Sequence, residues 1–303
     1  MTTTNDWLAD RFEQSRPRLR AVAYRMLGSL GEAEDAVQES WVRLSRSDAD
    51  AIDNLDAWLT TVVGRVCLNM LRSRQTRREE SFETYVNYVP DPIVSDAVSE
   101  DPEQHALLAD AVGLALQVVL ETLNPTERVA FVLHDMFAVP FDEIAPMIER
   151  TPAATRQLAS RARRRVEGAG ATPDADVGAQ RELVDAFLAA AKGGDLSGLL
   201  SILDPDVILR ADGGPPLPTG MPRGALLQGA ELVAQRAMFF ARFATGDALP
   251  VLVNGAAGVL TFGEDDEPFS LMTFTVRDGK ITHVVALADQ ERLRALELSS
   301  FHP

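Results

Sequence analysis

Residues 140–166 read PFDEIAPMIERTPAATRQLASRARRRV. Phe141, Ile144, Ala145 and Ile148 fall on one face of a first helix. Glu149-Arg150-Thr151 turns the chain. Thr151 caps a second helix, with Pro152 at its first position. Ala154, Leu158, Ala162 and Val166 supply that helix's buried stripe. Its opposite face carries Arg156, Gln157, Ser160, Arg161, Arg163 and Arg164. These are helix-turn-helix proportions. Glutamine bonds adenine edges, and arginine bonds guanine edges or phosphates. Small Ala153 and Ala154 let the helix end approach a groove. An ordinary helical hairpin with a solvated basic face has the same periodicity. Five arginines without one acid between Arg150 and Val166 favour nucleic acid over mere solubility.

The charge of the whole chain points the other way. The 303 residues carry a formal −16, from 29 Lys+Arg against 45 Asp+Glu. Such a polyanion repels DNA. The distribution matters more than the sum. Residues up to 168 hold 19 Arg, no Lys and 27 acids, and the remainder holds 10 basic and 18 acidic residues. A second basic cluster, Arg65, Arg72, Arg74, Arg77 and Arg78, precedes the first. Between the clusters, Glu79 to Glu127 contains 11 acids and neither Lys nor Arg. The single cysteine, Cys67, excludes an intrachain disulfide and a cysteine zinc cluster. No apolar leader and no run of about 18 apolar residues is present, so a cytoplasmic protein without a membrane span is expected.

Outward from the helix-turn-helix, helical spacing predicts a helix before Gly28 (Leu19, Val22, Ala23, Met26). A second starts at Glu32-Ala33-Glu34-Asp35 with acids suited to its dipole, and a third covers Leu55–Arg78. Residues 105–123 read as an apolar helix. Asn124 and Pro125 start the next one. Pro90, Pro92 and Pro102 mark residues 79–103 as a linker, and GAGATPDADVG (168–178) as a second. After Gln180 come one or two helices (180–203). Strand-like runs follow: Val207–Ala211, Val251–Asn254, Gly258–Phe262, Phe269–Val276 and Lys280–Leu287. Asp278-Gly279 forms a hairpin turn. The expectation is an α+β domain with an antiparallel sheet. Met238, Phe239, Phe240 and Phe243 are expected to pack its interior. Trp58 suits either the core or base stacking beside melted DNA.

RPRLRAVAYRMLGSLGEAEDAVQESWVRL (16–44) and LDAWLTTVVGRVCLNMLRSR (55–74) resemble region 2 of the extracytoplasmic-function (ECF) sigma factors. LNPTERVAFVLHDMFAVPFDEIAPMIERTPAATRQLASRARRRV (123–166) resembles region 4 of that family. The tail is similar to the SnoaL-like fold, a cone of curved antiparallel sheet and helices. Together they resemble the sigma subgroup with a fused C-terminal SnoaL-like domain, whose Pro-containing linker motif YVNYVPDPI (85–93) matches. The resemblance implies sigma region 2 over 1–78 and an acidic Pro-containing linker over 79–109. It further implies region 4 over 110–168, a short linker over 169–179, and a SnoaL-like domain over 180–303.

The resemblance implies a sigma factor that binds core RNA polymerase and directs initiation at −10 and −35 promoter elements. The helix carrying Asp35, Gln38, Glu39 and Trp41 would dock on the polymerase β′ coiled coil. On the residues alone, Asp35 and Glu39 equally suit a solvated face. The loop Asp48–Asn54 would hold a flipped base. Asn69, Arg72, Arg74 and Arg77 would track the melted strand. Region 4 would read the −35 element and contact the β flap. Glu100, Asp101 and Glu103 would place the linker in polymerase's nucleic-acid channel; a solvated tether has the same composition. The subgroup's Asp-Gly-Gly-Gly-Lys motif reads Asp212-Gly213-Gly214-Pro215-Pro216 here, so its lysine is missing.

The expected role of the tail is modulation of the sigma core in cis. Asp212, Gly213, Gly214 and His283 are its candidate pocket or regulatory contacts, and an unidentified small ligand is a candidate partner. Arg210, Asp212 and His283 are the titratable groups nearest to an acid–base set. No nucleophile–base spacing, metal cluster or cofactor motif accompanies them, so no catalytic residue, metal or cofactor is assigned. The alternative is a SnoaL-type isomerase or hydrolase, or a ligand-binding regulator, with a DNA-binding front end.

Overall fold

A computed structural model describes residues 2–48, 52–80, 88–96, 113–171, 176–214, 224–244, 246–263, 267–296, 298 and 301. They fall into two compact units. The helical unit takes the described parts of 1–81 and 119–169; the sheet unit takes those of 82–118 and 170–303.

The helical unit begins with α1 (Thr2–Leu27), α2 (Leu30–Ser45) and α3 (Leu55–Glu80). Gly28 ends α1 in the left-handed region (φ 68°), and the Ser29 side chain accepts the Glu32 amide to cap α2. The predicted apolar positions Leu19, Val22, Met26, Leu59, Val63 and Leu68 are buried. So is Cys67, and desolvation pushes its thiol far above the usual range. Only the thiolate reacts. Cys67 is therefore expected to resist iodoacetamide in the native protein at about pH 8 and to label rapidly in urea. Native labelling at the rate of a free thiol would contradict this packing.

α4 (Leu114–Glu121), α5 (Pro125–Phe131), α6 (Phe141–Ile144) and α7 (Pro152–Ala169) follow. Asn124 caps α5 as predicted, its Oδ1 accepting the Glu127 amide at 2.9 Å. α5 runs on into a π turn, Val132–Met136, that the apolar pattern does not reveal. α6 is one short turn of regular helix, continued by irregular turns in which Ala145 and Ile148 are buried. Thr151 Oγ1 accepts the Ala154 amide at 3.2 Å, as its capping role requires. The buried stripe of α7 is Thr155, Leu158, Ala159, Ala162 and Val166, so Thr155 takes the place expected for Ala154. Its hydroxyl donates to the Thr151 carbonyl at 3.0 Å, which removes the penalty for burying it. Glu149 adopts φ 56°, a left-handed conformation that costs a non-glycine residue roughly 1 kcal/mol.

In the sheet unit, α8 (Val177–Gly193), α9 (Leu196–Ile202), α10 (Ala230–Phe240) and α11 (Gln290–Ala295) accompany seven strands. These are β1 (Val94–Asp96), β2 (Leu203–Asp212), β3 (Ala225–Gln228), β4 (Ala248–Val253), β5 (Ala256–Phe262), β6 (Pro268–Arg277) and β7 (Lys280–Leu287). They order as β1-β4-β5-β6-β7-β2-β3. The sheet is mixed rather than antiparallel, because β2 and β7 run parallel. The reason is α10: it carries the chain back between β3 and β4, so the meander that follows ends with β7 aligned to β2. Asp278 (φ 50°) and Gly279 (φ 71°) make the predicted hairpin turn, and Asn254-Gly255 makes a second one. Val184, Phe187, Leu199, Val233, Val259, Phe274 and Val284 form the core. Met238 packs against it, but Phe239, Phe240 and Phe243 are exposed, contrary to expectation. Phe239 meets both Phe240 and Phe243 edge to face around the C-terminal end of α10.

Candidate nucleic-acid interface

The cap at Thr151 and the buried stripe fix the rotation of α7. They turn Arg156, Gln157, Arg161, Arg163 and Arg164 to solvent, with Ser160 half-buried beside them. The arginines are not equivalent. Arg161 Nε lies 3.4 Å from Glu127 Oε1, and Arg165 Nη1 lies 3.3 Å from Glu127 Oε2. Arg163 Nε donates to Asp135 Oδ1 at 2.7 Å. Arg156 lies over the Phe141 ring, 5.3 Å from its centroid. Arg156 and Arg164 have no ion pair among the described residues. A glutamine and two uncompensated guanidiniums thus project from one face, backed by three that local acids hold in place. Glu127 and Asp135 lie far from α7 in sequence, so spacing alone does not reveal this division.

On α3, Asn69 and Arg72 are exposed. Arg74 is not available to DNA in this arrangement. It donates to the Leu27 carbonyl at 3.0 Å, pairs with Glu32, and lies 3.5 Å from Glu121. Arg77 belongs to α3, but its side chain lies outside the described residues. Trp58 is half-buried. Of the predicted base-holding loop, Asp48, Asp53 and Asn54 are described and 49–51 are not; Asn54 Oδ1 accepts the Ala57 amide at 3.1 Å and caps α3. Glu100, Asp101 and Glu103 lie outside the described residues.

Asp35, Gln38 and Glu39 stand exposed along α2, with Glu39 bonded to Arg43 Nε at 2.8 Å. Trp41 is half-buried and meets Phe12 at 5.1 Å. Phe12, Val37, Gln38 and Trp41 line a hollow between α1 and α2. The hollow lies beside the acidic row of α2, and Phe12, which no local sequence pattern singles out, forms part of it.

In the sheet unit the expected pocket residues separate. Asp212 Oδ2 accepts Arg292 Nη1 at 2.6 Å and the Val89 amide at 3.3 Å; Oδ1 accepts the Gly214 amide at 3.1 Å. Both oxygens are occupied by structural bonds. Gly214 is left-handed (φ 77°), and a Cβ there would meet Asp289 Oδ2 at 2.7 Å. Gly213 lies within the same turn. His283 projects from the opposite side of β7 to the cavity-lining Val284 and Ala286. Its Nδ1 lies 3.1 Å from Thr282 Oγ1, and burial lowers its pKa, partly offset by Asp204. Asp212 and His283 therefore do not converge on the cavity as an acid–base pair.

Arg292, absent from the sequence-derived site, joins these parts. It donates to the Val89 carbonyl at 2.6 Å and Asp91 Oδ1 at 2.8 Å, and lies over the Tyr88 ring at 4.7 Å. Ile93 exchanges backbone and side-chain bonds with Asn254, and β1 pairs antiparallel with β4. Residues 88–96 of the Pro-containing linker are thus an edge of the sheet unit. Among the described residues, no group of three His, Cys, Asp or Glu is placed to hold a metal, and no helix is long and apolar enough to cross a membrane.

Two family models match the helical segments: Sigma-70 region 2 over residues 11–78, and Sigma-70, region 4 over residues 113–166. The ECF RNA polymerase sigma factor SigJ of Mycobacterium tuberculosis is 38% identical over 293 residues, covering 93% of this chain and 91% of its own. The chain belongs to the ECF RNA polymerase sigma factors. The probable ECF sigma factor SigI of the same species is 33% identical over 292 residues, covering 96% of this chain and 97% of its own. The crystal structure of SigJ superposes with a TM-score of 0.75 at 36% identity, covering 96% of this chain and 99% of that one. The match includes the sheet unit, which is the SnoaL-like domain of this sigma factor.

Proposed function

We propose that this chain is the promoter-reading subunit of a cytoplasmic RNA polymerase holoenzyme, that it acts without enzymatic activity of its own, and that its SnoaL-like domain modulates it in cis. The exposed Arg156-Gln157-Arg164 face of α7 carries the reading, because it combines base-edge donors with uncompensated charge. In this reading α7 enters the −35 major groove, with the β flap as region 4's protein partner. Asn69 and Arg72 on α3 face the melted −10 strand. Asp35, Gln38, Glu39 and Trp41 meet the β′ coiled coil. Run-off transcription by the full chain with core polymerase on a genomic promoter library tests this; output equal to that of core enzyme alone would overturn it.

Modulation acts through the tether between regions 2 and 4. That tether passes through the sheet unit as β1 and is clasped by Arg292. A domain fused in the same chain engages it at high effective concentration. Arg292→Ala removes the shared cation from Asp91, Asp212 and the Val89 carbonyl. Amide exchange at Val89 and Ile93 is expected to rise by about tenfold or more, and transcription is expected to shift in step. Unchanged exchange would show that the clasp holds nothing; faster exchange with unchanged transcription would exclude cis control.

A further inference from the structure

A largely apolar cavity lies inside the sheet unit, between the sheet and helices α8 and α10. It measures about 210 Å³ and is open on one side. A cavity of about 150 Å³ is enough to hold benzene, so this one accommodates one or two rings. Its walls are largely apolar, with Phe187, Leu209, Phe240, Phe269 and Met272 among them.

The polar groups are few and placed apart. Thr261 and Ser270 face each other across β5 and β6, with their hydroxyls 2.8 Å apart. The Thr261 hydroxyl also donates to the Ser270 carbonyl at 3.3 Å, so the Ser270 hydroxyl donates within the pair and both oxygens keep acceptor capacity. Arg236, on α10, lies over the Phe240 ring at 4.3 Å. Its Nε is buried and has no hydrogen-bond partner among the described residues. Burial lowers its pKa, and no carboxylate among the described residues offsets that cost. Leaving a charged donor desolvated and unpaired is expensive. Lys192 adds a second cation to the lining, and Asp247 the one carboxylate. A cavity lined by two cations and one acid stands out in a half of the chain where acids outnumber bases 18 to 10.

We infer that this cavity is a binding site for a small, flat apolar acid of one or two rings, its carboxylate taken by Arg236 and its far edge by the Thr261–Ser270 pair. The site binds rather than transforms. The Ser270 hydroxyl is paired with Thr261, not with a base, and His283 lies on the other face of β7. The inference does not rest on the sigma assignment, and its test uses neither polymerase nor promoter.

The test is calorimetric titration of the full chain with 1-naphthoate and with its neutral counterpart, 1-naphthamide. Naphthoate is expected to bind with one-to-one stoichiometry and more tightly than the amide. Arg236→Gln weakens naphthoate by about tenfold or more and leaves the amide within about twofold. Arg236→Lys retains part of the preference for the acid, which guards against a glutamine variant that fails to fold. Ala286→Phe fills the cavity and abolishes both. Equal affinity for acid and amide, a preference for the acid that survives Arg236→Gln, or no binding of either at millimolar concentration would each overturn the inference.

Discussion

Arg128→Ala is expected to lower the unfolding free energy of the helical unit by about 3 kcal/mol. Arg128 is 3% exposed. Its Nη1 donates to the Met26 carbonyl at 2.8 Å and to Glu121 Oε1 at 2.8 Å. Met26 and Leu27 end α1, where carbonyls lack helical partners and the helix dipole favours cations. Arg128 caps the first and Arg74 the second. Truncation strands a buried carbonyl and takes one of two cations from Glu121. Arg74 remains near Glu121, which keeps the loss at the lower end of the range for a broken buried pair. All three tryptophans, Trp7, Trp41 and Trp58, lie in this unit. Tryptophan emission in a urea titration therefore isolates its transition from that of the sheet unit. Arg128→Lys keeps the charge but not the forked geometry, and is expected to recover about half the loss. A midpoint unmoved by Arg128→Ala would show that the Met26 carbonyl is capped by other means.

What was legible in the chain follows from the range of each interaction. The caps at Asn124 and Thr151, the arginine face of α7 and the hairpin at Asp278-Gly279 are written within four residues of where they act. They appear in the structure where the sequence places them. Thr155 fills the buried stripe where Ala154 is expected, because a β-branched polar residue reads as surface until its hydroxyl is seen bonded one turn back. The mixed sheet depends on α10 reversing the chain, which no local pattern records. The linker strand β1 is three residues long, between prolines and acids. Only its partners β4, Asn254 and Arg292 identify it, and they lie more than 150 positions away. Arg74 shows the limit for sites. Its neighbours Arg72 and Arg77 share its chemistry, but Leu27 and Glu121 decide that it builds the fold. Phe239 and Phe243 near the end of α10 mark the opposite error, since apolar composition alone does not say which side of a wall a ring occupies.

The double variant Arg156→Ala/Gln157→Ala is expected to reduce run-off transcription from a −35-dependent promoter by about a hundredfold. Each base-edge contact discriminates by roughly 1–3 kcal/mol, and two adjacent ones together reach that factor. The loss should be confined to promoters that need their −35 element. Arg164→Ala should behave differently, weakening holoenzyme binding on all promoters alike and lowering the salt slope by about one. Arg161→Ala should do less than either, because Glu127 already engages that guanidinium. Acids placed beside α7 thus set how much of its charge is free, and in a chain of formal charge −16 they leave Arg156 and Arg164 without an ion pair among the described residues. Glu127→Gln sharpens the point. It leaves every arginine in place but frees Arg161 and Arg165, so the salt slope should steepen while promoter choice stays the same. If Glu127→Gln altered promoter choice instead, Glu127 would be orienting the reading residues rather than screening them.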